Sequence, residues 1–164
     1  MFKNSDCLEK IAGSIAPNPY AQYVSAASKT DGTLWVWGHE GSGRLGLNSI
    51  AVQRSSPHQL PGTQWDKPMG AHIGSGCTKT DGTLWTWGFN NQGRLGVNSQ
   101  TKYSSPVQIP GTDWIWVSCS SNALSTYALK SDNTLWAWGG NPGGALGVNS
   151  VNNGYSSPVQ IPGT

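Results

Sequence analysis

The side chains able to do chemistry are few and scattered. His39, His58 and His72 fall at unrelated places in the sequence, whereas a metal site needs ligands that converge. Glutamate occurs only at Glu9 and Glu40, too little for paired-carboxylate catalysis. No serine lies in a nucleophile elbow, and Gly41-Ser42-Gly43 lacks its flanking spacing. The glycine-rich stretch Gly38–Gly46 is not followed by Gly-Lys-Ser/Thr and so is not a phosphate loop. Cys7, Cys77 and Cys119 form no CxxC pair, and an odd count argues against a complete disulfide framework. No catalytic, cofactor-binding or metal-ligating residue is assigned, and the chain reads as a non-enzyme.

What does recur is structural in type. Asp31, Asp81 and Asp132 each open a turn, and that position explains them without catalysis. Arg44 and Arg94 recur, with Ala145 in the third place; bonding of loop carbonyls is their expected role. Tryptophans two apart, Trp35 and Trp37, Trp85 and Trp87, Trp136 and Trp138, are platforms on which sugars or bases stack. Recurrence at one strand position in every unit favours a core role instead, with the indoles packed between neighbouring sheets.

The element that positions them is Lys79-Thr80-Asp81-Gly82-Thr83-Leu84-Trp85-Thr86-Trp87-Gly88, matched by Lys29–Gly38 and more loosely by Lys130–Gly139. In a strand, Trp85 and Trp87 share one face and Leu84 and Thr86 the other. Bulk on both faces predicts a strand covered on both sides, and Asp-Gly ahead of it predicts a tight turn. A variable loop follows, then Arg-Leu-Gly-x-Asn-Ser at Arg44 and Arg94. Each unit closes on Ser-Ser-Pro-x-Gln-x-Pro-Gly-Thr, whose prolines predict an outer edge strand. Self-similarity at about fifty residues, with four short strands per unit, describes a propeller blade.

The units run over about 20–63, 64–112 and 113–164, after a leader at 1–19. Asp6-Cys7-Leu8-Glu9 has the form of a capping box, and Leu8, Ile11, Ala12 and Ile15 follow helical spacing, so a short helix is expected over about 7–13. The opening of the second unit, Trp65 to Cys77, reads as irregular because Pro68, Gly70, Gly74 and Gly76 weaken a strand. The formal charge of +2 on 164 residues gives no signal for nucleic acid or an anionic membrane. No apolar run reaches the ~18 residues of a membrane helix, and no secretory signal is legible at the start; localisation stays open.

The pattern Asp-Gly-Thr-Leu-Trp-x-Trp-Gly, with its Leu-Gly-x-Asn-Ser and Pro-Gly-Thr sequels, resembles the regulator of chromosome condensation repeat family over about residues 20–164. The regular Pro-Gly-Thr endings look like its prokaryotic and phage versions. The family's Gly-x-x-His segment is degraded, with Ser120-Ser121-Asn122-Ala123 in its place in the third unit. The resemblance implies an all-β partial β-propeller, three four-stranded antiparallel blades of a seven-bladed ring. Three units make an open arc with two unpaired blade faces, to be met by further blades or by self-association. The expected function is a protein-interaction scaffold acting through the variable loops, at His39, Glu40, Phe89, Asn90, Asn91, Gln92 and Asn141. The alternatives are guanine-nucleotide exchange on a small GTPase, which rests on the family analogy, and a carbohydrate-binding or adhesive module of a secreted or virion surface protein.

Overall fold

A computed structural model describes residues 11–13, 24–50, 53–69, 74–119 and 124–163. Among these, twelve strands form three four-stranded antiparallel sheets. The first holds β1 (Ile11–Gly13), β2 (Val24–Ser28), β3 (Leu34–Gly38) and β4 (Arg54–Leu60). The second holds β5 (Trp65–Met69), β6 (Gly74–Lys79), β7 (Leu84–Gly88) and β8 (Tyr103–Gln108). The third holds β9 (Trp114–Cys119), β10 (Ser125–Lys130), β11 (Leu135–Gly140) and β12 (Gly154–Gln160). Strands pair in chain order within each sheet, the up-and-down arrangement of a propeller blade. Three consecutive blades are therefore present.

The repeated turn between the second and third strands follows from its side chains. Asp81 Oδ1 accepts the Thr83 N–H at 2.9 Å and the Thr83 hydroxyl at 2.6 Å. Thr83 Oγ1 in turn accepts the Trp85 indole N–H at 3.0 Å. The same relay joins Asp31, Thr33 and Trp35, and Asp132, Thr134 and Trp136. It accounts for each polar letter of Asp-Gly-Thr-Leu-Trp. Gly82 has φ +80°, and a Cβ there would lie 3.0 Å from Asp113 N of the next blade. That N–H's neighbour, Trp114 N, donates to Gly82 O at 3.0 Å. Gly32 stands likewise against Gln64, and Trp65 N donates to its carbonyl.

Each blade buries its Leu/Thr face against the indole face of the next. Val24, Leu34, Val36, Leu45 and Leu60 of the first blade form one core with Trp65, Cys77 and Trp87 of the second. Leu84, Ile109 and Met69 meet Trp114, Val117, Ala128 and Trp138 of the third. Trp87 and Trp138 are fully buried. Trp65 stands edge-on to Trp85 and Trp87, with ring centroids 6.2 and 6.1 Å apart, and Trp114 does the same with Trp136 and Trp138, an arrangement that aligns ring edge with ring face. Lys79 Nζ lies 4.5 Å from the Trp65 centroid and Lys130 Nζ 4.7 Å from that of Trp114.

Of the six tryptophans expected in the core, Trp35, Trp85 and Trp136 are half-buried at the blade edge, tied to their own turns. Trp37 is also half-buried, because no earlier blade covers it among the described residues. The prolines sit as expected: β4, β8 and β12, carrying Pro57, Pro106 and Pro158, are sheet edges.

Two local expectations differ from the structure. Ile11–Gly13 is a strand paired with Ser25–Ala27, where a helix was expected; the rest of that helix lies outside the described residues. Two helical turns have little stability of their own, and β2 offers an edge that a strand satisfies. Trp65–Met69 and Gly74–Lys79 are strands despite Pro68, Gly74 and Gly76, while Gly70 lies outside the described residues. Pro68 falls on an edge strand beside a register shift, where no ladder bond is lost. A Cβ on Gly76 would lie 3.2 Å from both Met69 Cε and Trp85 O, so close packing, rather than a break in the chain, accounts for that glycine.

Candidate functional site

Antiparallel order puts the Asp-Gly turns at one end of the blades and the connections from third to fourth strand at the other. Three loops thus gather at that end, over residues 39–48, 89–98 and 140–149. In the second, Asn90 is fully buried. Its Oδ1 accepts the Leu95 N–H at 2.9 Å, and its Nδ2 donates to Ser99 O and Thr101 O, both at 2.8 Å. In the third, Asn141 Oδ1 accepts from Leu146 N at 2.9 Å and Nδ2 donates to Ser150 O at 2.8 Å. One carboxamide in each of these two loops satisfies backbone groups that would otherwise be buried unpaired.

The Leu-Gly part of the first and second loops forms the seat for the next blade. Arg44 O accepts the Trp87 indole N–H at 2.9 Å and the Ser75 hydroxyl at 2.8 Å. Arg94 O accepts the Trp138 indole N–H at 2.9 Å and the Thr126 hydroxyl at 2.9 Å. A Cβ on Gly46 would stand 2.8 Å from Trp87 Nε1, and one on Gly96 2.7 Å from Trp138 Nε1. Asn48 N donates to Ser104 O and Asn98 N to Ser156 O, both at 2.7 Å, so the loop also fastens to the next blade's edge strand. In the third blade, Ala145 O accepts the hydroxyl of that blade's own Tyr127 at 2.8 Å. The nearest atom to a Cβ on Gly147 is Ile161 Cγ2 at 3.8 Å.

This geometry sorts the seven expected contact residues. Glu40, Asn90 and Asn141 are buried, at 1, 0 and 3% exposure; they hold the loops together and present no surface. Their common spacing, five residues before Leu45, Leu95 and Leu146, is the sequence signal that would have set them apart. Asn91 and Gln92 are exposed, with Gln92 at φ +61°, and His39 and Phe89 are half-buried. The Phe89 ring has the Arg94 guanidinium 5.3 Å and Lys102 Nζ 4.9 Å from its centroid. Arg94 Nε also donates to Asn91 O at 3.1 Å, the loop-bonding role expected of the recurrent arginines. Between the second and third loops lies a groove of about 630 Å³, lined by Gln92, Gln100, Asn152, Asn153 and Ser156 among others.

Electrostatics separate the first loop from its copies. His39 Nδ1 accepts the Gly41 N–H at 3.0 Å; burial and then the Arg44 charge hold the imidazole pKa below its ordinary value. Glu40 Oε2 accepts the Leu45 N–H at 3.2 Å, while Oε1 is buried with no partner. Burial raises the Glu40 pKa to about 7, against the smaller opposing effects of that hydrogen bond and of Arg54. No group of three His, Cys, Asp or Glu side chains among the described residues converges on a metal position.

The sequence profile of the Regulator of chromosome condensation (RCC1) repeat matches residues 81–123. That stretch starts in the Asp-Gly turn of the second blade and runs into the third, so one sequence repeat bridges two blades. No curated protein sequence matches. Among solved structures, the chain is similar to human WBSCR16 at 21% identity and TM-score 0.71, over 84% of this chain and 37% of that one. It is similar to Prp20p from Saccharomyces cerevisiae, described with its binding to Gsp1p and histones, at 16% identity and TM-score 0.75, over 86 and 36% of the two chains. A third similarity is to yeast RCC1 (Prp20) bound by Kap60, at 21% identity and TM-score 0.67, over 85 and 33%. The chain spans about a third of the length of these relatives. Residues 81–123 match the profile of a regulator of chromosome condensation repeat, and the flanking units share its motifs and strand order.

Proposed function

We propose that this chain is a non-enzymatic scaffold that binds another protein through the exposed tips of the three loops. The observation that carries the reading is a division of labour within each loop. The buried Asn or Glu and the Leu-Gly seat fix one backbone in all three copies. The positions outside that frame, half-buried His39 and Phe89 and exposed Asn91, Gln92, Pro142 and Gly143, differ from copy to copy. Rigid elements carrying variable tips are the usual way a scaffold presents a specific surface. Phe89 between two cationic side chains supplies an aromatic anchor with charge around it, a composition enriched at binding hot spots. Two of the solved structures named above, both of yeast Prp20, are described with protein partners, which supports a protein as the partner class.

The test is a triple substitution, Phe89→Ala, Asn91→Ala and Gln92→Ala, in a protein that otherwise folds as before. Loss of binding to a co-purifying protein, with an unchanged unfolding midpoint, is the expected result. Retained binding would overturn the loop-tip reading. Accelerated guanine-nucleotide release from a small GTPase in the same preparation would make the chain an exchange factor instead.

A further inference from the structure

Glu40 occupies the place of Asn90 and Asn141, and the substitution changes the chemistry of a buried position. In the second and third loops, one side chain must accept a hydrogen bond from Leu95 or Leu146 and donate one to Ser99 or Ser150. A carboxamide does both. An ionised carboxylate only accepts, so it cannot supply the donor that Ser99 O and Ser150 O receive in the other two loops, and it keeps a charge at 1% exposure. A neutral carboxylic acid accepts through one oxygen and donates through the other. The atom where that proton is needed, Oε1, is the buried one without a partner.

We propose that the first loop is a proton-operated latch: neutral Glu40 closes it as the asparagines close the other two, and loss of its proton loosens the loop and the Trp87 seat within it. The link to the seat is short. Glu40 holds Leu45, and the residue before Leu45 is Arg44, whose carbonyl receives Trp87 and Ser75 of the second blade. Ionisation at Glu40 therefore acts on the junction between the first two blades and leaves the junction between the second and third untouched.

Among the described residues, the charged and titratable groups near it are Arg54 at the start of β4, and His39 and Arg44 in the loop itself. Arg54 favours the ionised acid, but burial outweighs it and raises the Glu40 pKa to about 7. His39 acts with the opposite sign. Its Nδ1 accepts from Gly41 only while the ring is neutral, so acid loosens the loop through His39 and base loosens it through Glu40. The direction of the pH response thus identifies which group is at work.

Amide hydrogen exchange of the full chain, corrected for the intrinsic pH dependence of exchange, reads this out. Between about pH 5.5 and about pH 8.5, protection of residues 43–47 should fall on the order of tenfold or more, as a pKa difference of this kind allows. Protection of 93–97 should not change. Glu40→Gln, which keeps the shape and supplies the donor, should flatten the response of the first loop. Asn90→Asp should install a similar response in the second, so the idea stays testable if Glu40→Gln fails to fold. An equal slope in wild type and Glu40→Gln would overturn the latch. So would protection restored at high pH by calcium chloride, because a cation rather than a proton would then close the loop.

Discussion

Replacing Gly96 by alanine and, separately, Gly147 by alanine applies the same backbone perturbation to two loops that differ in one respect. Both glycines are left-handed, at φ +73° and +70°, so each alanine meets a strain of about 1–2 kcal/mol. At Gly147 nothing further is expected, since its nearest neighbour would be a methyl group at 3.8 Å. At Gly96 the new methyl would stand 2.7 Å from Trp138 Nε1 and 2.9 Å from Cε2. The indole is fully buried and cannot retreat without breaking its 2.9 Å bond to Arg94 O. Overpacking of this kind costs about 1–3 kcal/mol, and the lost hydrogen bond about 0.5–1.5 kcal/mol. Gly96→Ala should therefore be the worse of the two by about 2–4 kcal/mol. In urea the difference shows as a lower midpoint at unchanged slope. On heating, each kcal/mol corresponds to about 2–4 °C for a chain of this size. Equal losses for the two variants, or a larger loss at Gly147, would refute the claim that the Leu-Gly glycine exists to seat the next blade's tryptophan.

Trp87→Ala should cost about 3–5 kcal/mol, as large core deletions do, whereas Trp116→Ala, at a residue 45% exposed, should stay within about 0.5 kcal/mol; chemical denaturation of the pair checks it. Burial pushes the Cys77 thiol well up and that of Cys119 to about 12, the latter against the nearby Arg94 charge. In a Cys7→Ser, Cys119→Ser background at about pH 8, the fully buried Cys77 should not react with a thiol reagent until the chain is unfolded, and rapid labelling of the native protein would contradict this. Hydrogen bonds from Thr83 hold the exposed Asp81 carboxyl below its ordinary value, and Thr33 and Thr134 do the same for Asp31 and Asp132. A depressed carboxyl stabilises the fold above the ordinary carboxylate range and ceases to do so as pH falls through it. The melting gap between wild type and Asp81→Ala should accordingly narrow from about pH 6 to about pH 3, and a constant gap would remove the Asp–Thr relay from the account.

Legibility in the sequence followed the range of the interactions. The Asp–Thr–Trp turn was readable because all its partners lie within five residues, and the proline-edged closing strand because proline's effect is local. The strand at Ile11–Gly13 was not, because its cause is the vacant edge of β2, more than ten residues away. Gly76 read as a breaker because its reason, the close approach of Met69 and the Trp85 backbone, exists only in the packed blade. Within the loops, variability from unit to unit pointed to Asn91 and Gln92, which are exposed, and to Phe89, which is half-buried. It pointed wrongly at Asn90 and Asn141, which are alike, and whose fixed distance to the following leucine marks them as scaffold. Glu40 was hidden for the same reason: it looked like variation, while its position made it a chemical substitute.

The Tyr127 hydroxyl on Ala145 O has a practical corollary for anyone wishing to lengthen the arc. Copies of the second unit are self-compatible, since each offers Gly82 and Gly96 to its successor and brings Trp87 to its predecessor. The third unit is a poor splice point. It presents Asn133 where its siblings have glycine, and a tyrosine where the second has Gly76. Grafting a fresh module after it would call for Tyr127→Gly and Asn133→Gly first, to clear the berth that an arriving indole would take.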